Sequence, residues 1–535
     1  MLVHLQSAAL NGVDAYLIRI EVDVGKGGQY SMVGLPDNAV RESWKRMESA
    51  IRSLGLTMPR QRIVINLAPA DKRKQGSGFD LPMAVGILAA SGQVPEQAVQ
   101  GLLFLGELAL DGSLRPVPGC LSAALLAREI GSRALIVPQA NAREASLARG
   151  LPVYGAGSLR DVVEHLRGKR MLEPAVEPEW TPEGYHRESC AQGNTDPHAD
   201  KQPSGAARAS PQHTLPDFAE VRGQVVAKRA LEIAAAGGHN CLLVGPPGAG
   251  KTMLARRLPG ILPPPTLDEA LETTRIYSVA GMLPPGGGLL GTRPFRAPHH
   301  TCSDVALVGG GSPPCPGEAT LAHRGVLYLD EMPEFRRSVL EVLRQPVEEG
   351  RIAIARARYA VEYPAAFMLI GSMNPCPCGY ATHPDKACIC HPAAIQRYRG
   401  RISGPLMDRF DLQVDVHPVP VAELSLDSAS QHAESSWDIR QRVLAARQLQ
   451  QERFMDHPGI HHNARMPLAM LRRVCRLDAS GTALLQTAMK RLQLSARGYE
   501  RILKVSRTIA DLEGSADIHA VHLAEAVQYR SLDRG

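Results

Sequence analysis

The stretch Asn240-Cys-Leu-Leu-Val-Gly245-Pro-Pro-Gly-Ala-Gly250-Lys251-Thr252-Met-Leu-Ala255 decides the fold of the second half of this chain. Residues 241–244 are apolar and predict a buried strand, the glycine- and proline-rich run that follows predicts a tight loop, and Met253-Leu-Ala starts a helix. Strand, loop and helix are the setting that the G-x-x-x-x-G-K-[ST] pattern needs. The loop Gly245, Pro246, Pro247, Gly248, Ala249 and Gly250 turns backbone N–H groups and a helix N-terminus toward phosphate oxygens, Lys251 reaches the β and γ phosphates, and Thr252 ligates Mg²⁺. A glycine turn without a ligand is the plainer alternative, and the weaker one with strand and helix both present.

Outward from the loop, Gly325-Val-Leu-Tyr-Leu-Asp330-Glu331 reads as a buried strand ending in two carboxylates. Asp330 holds Mg²⁺ through water and Glu331 polarises the attacking water. Taken alone, an acidic pair after a strand is more often a helix N-terminus; behind a phosphate loop the preference reverses. Phe367-Met-Leu-Ile-Gly-Ser-Met-Asn374 is another strand, and its terminal amide is suited to positioning the lytic water. Leu406-Met-Asp-Arg409-Phe-Asp-Leu places an arginine before a further strand, where ring ATPases offer a finger to the neighbouring γ-phosphate. A surface ion pair is the plainer reading of Arg409.

The chain has 535 residues, more than one core usually supports, so several domains are expected. A hydrophobic fraction of 44% with 21% charged residues is that of a globular protein and excludes a fibrous one. A net charge of +6 permits nucleic acid as a partner without requiring it. Neither a leader pattern nor a bilayer-length apolar run is present, which predicts a cytoplasmic protein without a membrane partner.

Along the sequence, strand-like runs (16–24, 62–67, 133–137) mix with helical ones (37–53, 81–90, 121–130), predicting an α/β domain over 1–171. Residues 172–214 are rich in Pro, Glu, Ser, Gly and Gln and read as a flexible linker. Short apolar strands alternating with helices over 215–420 predict a doubly wound parallel sheet. Residues 421–535 read as a small helical domain with caps such as Asp478 and Ser515.

Cys376-Pro-Cys378 and Cys388-Ile-Cys390 are two C-x-C pairs spaced to give four thiolates to one tetrahedral Zn²⁺. Free thiols and a redox role are the alternatives. Arg351 to Glu362 reads as two short strands about a basic turn, with Arg356 and Arg358 as candidate DNA-phosphate contacts; a solvated hairpin tip is an equal alternative. Arg293 and Arg296, with His299 and His300, form a second candidate DNA element, against which the histidines read equally well as a structural pair.

Further segments carry a resemblance: Val33-Gly-Leu-Pro-Asp37 with Arg41-Glu42-Ser43, Ile65 to Asp71, Arg293-Pro-Phe-Arg-Ala-Pro-His-His-Thr301, Pro316-Gly-Glu318 and Asn374-Pro-Cys-Pro-Cys-Gly379. On these the chain resembles the magnesium-chelatase-like AAA+ proteins of bacteria, specifically the competence-type branch-migration helicases. The resemblance implies ATP and Mg²⁺ as cofactors and a hexameric ring of identical subunits. It implies branched or single-stranded DNA as the track, recombination proteins as partners, and branch migration during natural transformation. Glu331, Asn374 (sensor 1), Arg409 (finger) and Arg497 (sensor 2, with Arg501 as fallback) are its implied catalytic residues, above a C-terminal helical lid. The segment 351–362 is similar to the pre-sensor hairpin of replicative ring helicases. Gly106 to Val117 looks like the Lon protease domain, a fold like that of ribosomal protein S5. There Gly78 and Ser122 stand at the catalytic serine and lysine positions, so proteolysis is not expected. A chelatase or protein-remodelling motor is the competing function.

Overall fold

The computed structural model of the chain describes residues 1–176, 215–283, 287–311, 314–356, 359–419, 434–457 and 459–530. The expected linker lies outside them from residue 177 onward, and so does Arg358. By contact the chain divides into two compact units. One comprises Met1–Thr181, Thr266–Leu290 and Ala357–Tyr363; the other comprises Pro182–Pro265, Gly291–Arg356 and Pro364–Gly535. Two segments embedded in the sequence of the expected ATPase core thus belong by contact to the first unit.

The first unit is built on seven strands: β1 (Leu2–Asn11), β2 (Asp14–Gly25), β3 (Tyr30–Val33), β4 (Arg62–Ala68), β5 (Leu102–Phe104), β6 (Ala134–Pro138) and β7 (Val153–Ala156). They form one sheet in the order β3-β4-β2-β1-β5-β6-β7. The β1–β2 and β2–β4 pairs are antiparallel and the others parallel. Strict alternation buries Ile18, Ile20 and Val22 of β2 and Ile63, Ile65 and Leu67 of β4 on one face. Helix α1 (Asn38–Ser53) turns Val40, Met47, Ala50 and Ile51 inward at helical spacing, and α2 (Asp80–Ala90) is buried at every position. A Cβ at Gly86 would lie 2.6 Å from Val22, so only glycine lets α2 lie this close to β2.

Helix α3 (Cys120–Glu129) starts at Gly119, whose N–H donates to the Ser278 carbonyl at 3.1 Å. That carbonyl belongs to the helix Leu267–Val279, which packs on α3 within this unit. Ser122 is buried and donates to the Val13 carbonyl at 2.6 Å, while the Gly78 carbonyl accepts the Gly106 N–H at 2.9 Å. Ser77 donates to Glu107, and Lys74 donates to the carbonyls of Pro69 and Lys72. The partners of these side chains hold loops, and no serine–lysine pair forms among them.

The second unit carries β8 (Cys241–Val244), β9 (Phe295–Arg296), β10 (Val326–Leu329), β11 (Met368–Met373) and β12 (Leu412–Asp415) in one parallel sheet, ordered β9-β10-β11-β8-β12. Every residue of β8, β10 and β11 is buried, which is why they read as unbroken apolar runs. Helices α4 (Val225–Gly237), α5 (Lys251–Ile261) and α6 (Pro392–Arg399) precede a helical C-terminal stretch: α7 (Ser436–Arg453), α8 (Ala479–Arg491), α9 (Ala496–Leu512) and α10 (Ala520–Gln528).

Asp478 caps α8 as expected, accepting the Gly481 N–H at 2.6 Å. The cap expected at Ser515 is not made. Arg507 takes the carbonyls of Ser515 and Ala516 and fixes them in the preceding loop, Ser515 Oγ donates to the Asp517 carbonyl at 2.8 Å, and α10 starts only after His519. No helix among the described residues is long and apolar enough to cross a membrane.

Candidate nucleotide site

The C-terminal ends of β8, β10 and β11 meet at one point because the strands are parallel and adjacent. Leaving β8, Gly245 is pressed against the backbone of Val416, where a Cβ would lie 2.2 Å from the carbonyl oxygen. Gly248 (φ +78°) and Gly250 (φ +91°) then turn the loop through conformations open to glycine, and α5 begins at Lys251. Pro246 and Ala249 are buried, whereas Pro247 and Gly248 face outward. Gln224 ties the Ala249 carbonyl to that of His417, at 3.1 and 2.6 Å, which steadies the loop from behind.

Lys251 is only 8% exposed. Its ammonium donates to the carbonyls of Gly245 and Pro246 at 2.6 and 3.0 Å and to Asn374 Oδ1 at 3.1 Å. Burial pulls its pKa below the ordinary lysine value, against the opposing pull of Asp330 and Glu331. Thr252 Oγ1 donates to Asp330 Oδ2 at 2.8 Å. The structure therefore brings Lys251, Thr252, Asp330 and Asn374 together from three separate stretches of sequence.

Two residues that sequence reasoning passed over hold this network. Ser372 Oγ donates to Asp330 Oδ1 and accepts the Glu331 N–H at 3.1 Å. Tyr328 OH lies 2.9 Å from Asp330 Oδ1 and 3.2 Å from Thr252 Oγ1. Burial would raise the Asp330 pKa, but hydrogen bonds from Ser372, Thr252 and Tyr328 outweigh it and hold the carboxyl below the usual range. Glu331 is exposed, with φ +51°, a strained backbone for a side-chain-bearing residue. Its N–H bonds to Asp330 and Ser372 keep it in that conformation.

The arginines are placed differently. Arg409 pairs with Glu348, and its Nε is buried without a partner among the described residues. The Arg409 carbonyl accepts from Asn240 at 2.9 Å, so this arginine lies where β8 and β12 begin, at the end of the sheet opposite the phosphate loop. Arg497 is exposed in the first turn of α9. Arg501, one turn on, is mostly buried, with its side chain 3.4 Å from Asp411, again at the start of β12. Arg293 donates to the carbonyls of Pro263, Pro264 and Arg324, and Arg296 forms a two-pronged pair with Glu318 at 2.6 and 2.8 Å. Both guanidiniums act as internal ties. His299 and His300 lie with their rings 4.1 Å apart, and His299 bonds Thr301. Arg356 ends the strand Arg351–Arg356, and a second strand runs Tyr359–Pro364.

The four cysteines do converge: the ligating atoms of Cys376, Cys378, Cys388 and Cys390 all lie within 4.8 Å of one another. The Sγ separations are 3.3 Å for Cys376 to Cys378, 3.7 Å for Cys376 to Cys388 and 3.6 Å for Cys378 to Cys388. These are too long for a disulfide and match the edge of about 3.8 Å of a tetrahedron with Zn–S bonds of about 2.3 Å. Backbone N–H groups of Tyr380 and Ile389 pull the Cys378 thiol down to about 6, whereas the neighbouring sulfurs push the Cys388 and Cys390 thiols up, so the case for a metal rests on the geometry of the four sulfurs. The donor set fits Zn²⁺.

A parallel sheet ordered β9-β10-β11-β8-β12 with a phosphate loop after β8, a carboxylate pair after β10 and an amide after β11 defines an AAA+ nucleotide-binding core. Matches to the family models agree. Residues 217–424 match "Magnesium chelatase, subunit ChlI", residues 20–141 match "Subunit ChlI of Mg-chelatase", and residues 433–530 match the ChlI C-terminal model. The chain belongs to the magnesium-chelatase-like AAA+ family, in its ComM-type branch. It is 44% identical to competence protein ComM of Haemophilus influenzae over 530 residues, 99% of this chain and 97% of that protein. It is 41% identical to the uncharacterized protein YifB of Escherichia coli strain K12, over 100% of this chain and 97% of that one. The magnesium-chelatase 38 kDa subunit of Rhodobacter capsulatus is 26% identical over 60% of this chain and 88% of its own. Membership implies a nucleotide with Mg²⁺ as cofactors, and the ComM relative suggests a competence-related role.

Proposed function

We propose that this chain is an ATP-hydrolysing ring motor that moves on branched or single-stranded DNA and drives branch migration during homologous recombination, in the setting of natural transformation. The observation that carries the motor chemistry is the network joining Lys251, Thr252, Asp330 and Asn374. Thr252 and Asp330 would hold Mg²⁺, which would supply positive charge to offset the charge developing on the phosphoryl group. The chain's own part is positional. Lys251 exchanges carbonyl partners for phosphate oxygens, Thr252 and Asp330 present the metal ligands, Glu331 orients the attacking water, and Asn374 fixes Lys251 against it.

Arg409 stands one strand length from the phosphate loop, about 13 Å for four residues, and on the far end of the sheet. It therefore serves a neighbouring subunit's phosphate in a hexamer, leaving Glu348 when it does so. The C-terminal helices act as the lid. The first unit is a Lon-like scaffold without proteolysis, and Cys376, Cys378, Cys388 and Cys390 hold a structural Zn²⁺.

With Arg293 and Arg296 tied inside the fold, the DNA contact is better sought beyond Glu331. There Arg337, Arg397 and Arg401 line a cavity of about 400 Å³ with Glu334 and Phe335. The test of the whole reading is ATP turnover with and without a labelled branched DNA, scoring strand displacement at two salt concentrations. Hydrolysis stimulated by DNA with branch movement is expected. Hydrolysis indifferent to every DNA would replace the DNA track with the chelatase-like or protein-remodelling alternative.

A further inference from the structure

The cysteine loop and the phosphate loop touch. Gly379, the residue after Cys378, has φ +85°, and a Cβ there would lie 2.6 Å from Pro247 Cδ and 2.9 Å from its Cγ. Pro247 is an outward-facing residue of the phosphate loop. The same segment starts at Asn374, whose side chain holds Lys251, and continues through Pro375, whose carbonyl accepts from Arg399 Nε at 3.4 Å. From 374 to 391 the backbone is neither helix nor strand. Beyond these contacts, its shape rests on the gathered sulfurs, a few turn hydrogen bonds and the packing of Tyr380 against His383 and Lys386.

A phosphate loop binds through groups that must already point inward, so whatever presses on its open face bears on affinity. We propose that the four-cysteine knuckle is a positioning device for the nucleotide: with its metal held, it sets Gly379 against Pro247 and Asn374 against Lys251, and loss of the metal loosens both. The inference rests on the reading that the site takes ATP and the cysteines take Zn²⁺. Gly379 is the contact point because no other residue fits both its backbone conformation and its distance from the proline ring.

The test uses the full chain, elemental analysis for zinc, and a fluorescent ATP analogue as the probe, with a melting curve as the fold control. Zinc is stripped with a chelator that is then removed before Mg²⁺ and the probe are added. Stripping is expected to weaken probe binding by between about ten- and a hundredfold, the range a small misplacement costs. Gly379→Ala, tested separately, should keep its zinc and lose affinity to a similar extent. Unchanged affinity in either preparation, or loss of zinc from Gly379→Ala, would overturn the coupling; if stripping melts the chain, Gly379→Ala alone decides. The underlying readings fail separately: a wild type that binds no probe removes the ATP site, and one that takes up no zinc removes the metal.

Discussion

At the scale of the residue, the site is a small set of charges whose partners decide what they do. Lys251 is buried but bonded to carbonyl oxygens of its own loop and to Asn374 rather than packed into the apolar core. Lys251→Ala should therefore abolish nucleotide-dependent activity, by about a hundredfold or more, while leaving the melting transition in place. Undiminished turnover would remove the residue from the site. Ser372 bonds the Asp330 carboxylate and the Glu331 backbone at once. Ser372→Ala should lower kcat by about tenfold, the effect of about 1.4 kcal/mol, with KM for ATP little changed, and Ser372→Thr should restore most of it. A KM effect without a kcat effect would contradict the positioning role. Ser372 and Tyr328 were legible in principle: each lies two residues before a residue already assigned, Asn374 and Asp330, so strand alternation puts each on the same face as that group. Arginine is where sequence misleads. Arg293, Arg296, Arg497 and Arg501 look alike as letters, yet three are spent on carbonyls or carboxylates inside the fold and only Arg497 of the four is exposed.

At the scale of the element, periodicity read well where one face is buried and poorly where the pattern is broken. The strand 241–244 and the helix 38–53 are close to their predicted bounds because their apolar spacing is clean. β1 was not expected at all. Val3 and Leu5 alternate with His4 and Gln6 as in a half-buried strand, but the buried face continues through Ser7 and Ala9, so the alternating signal lasts only four residues. Burial also stores a pH response in the helix Gln139–Ser146. Its Glu144 is 8% exposed, and burial raises its pKa from 4.5 to about 7, although Asn141 donates to it at 3.1 Å. A folded-state pKa above the unfolded one means the folded chain binds the extra proton between those values. Stability of the first unit should therefore fall as pH rises from 4.5 toward 7, by on the order of 3 kcal/mol, and stay low above it. Glu144→Gln should flatten that slope in urea unfolding followed from pH 5 to 8. An unaltered slope would place the titration elsewhere.

At the scale of the whole molecule, the question is what one chain cannot complete alone. On the DNA side, Arg337→Glu with Arg397→Glu should weaken binding of single-stranded DNA and shallow its dependence on log salt by about 1.4 for the two phosphates released, at about 0.7 each. An unchanged slope would move the track away from this cavity. On the nucleotide side, strand polarity separates Arg409 from the phosphate loop of its own chain, and its guanidinium rests meanwhile on Glu348. A finger in that position has a partner only if a second copy brings its phosphate loop there. Arg409→Ala should accordingly lose turnover as a pure preparation, by about a thousandfold at the lower end of what such fingers supply. Lys251→Ala should be equally inactive, for want of phosphate contacts. Mixed, the two form rings in which an intact loop from the Arg409→Ala chain faces an intact finger from the Lys251→Ala chain. Turnover should then reappear, reaching its maximum at equal proportions and rising with total concentration as rings assemble. A mixture as inactive as its parts would show that the finger acts elsewhere, and with it would go the argument that the site is shared between subunits.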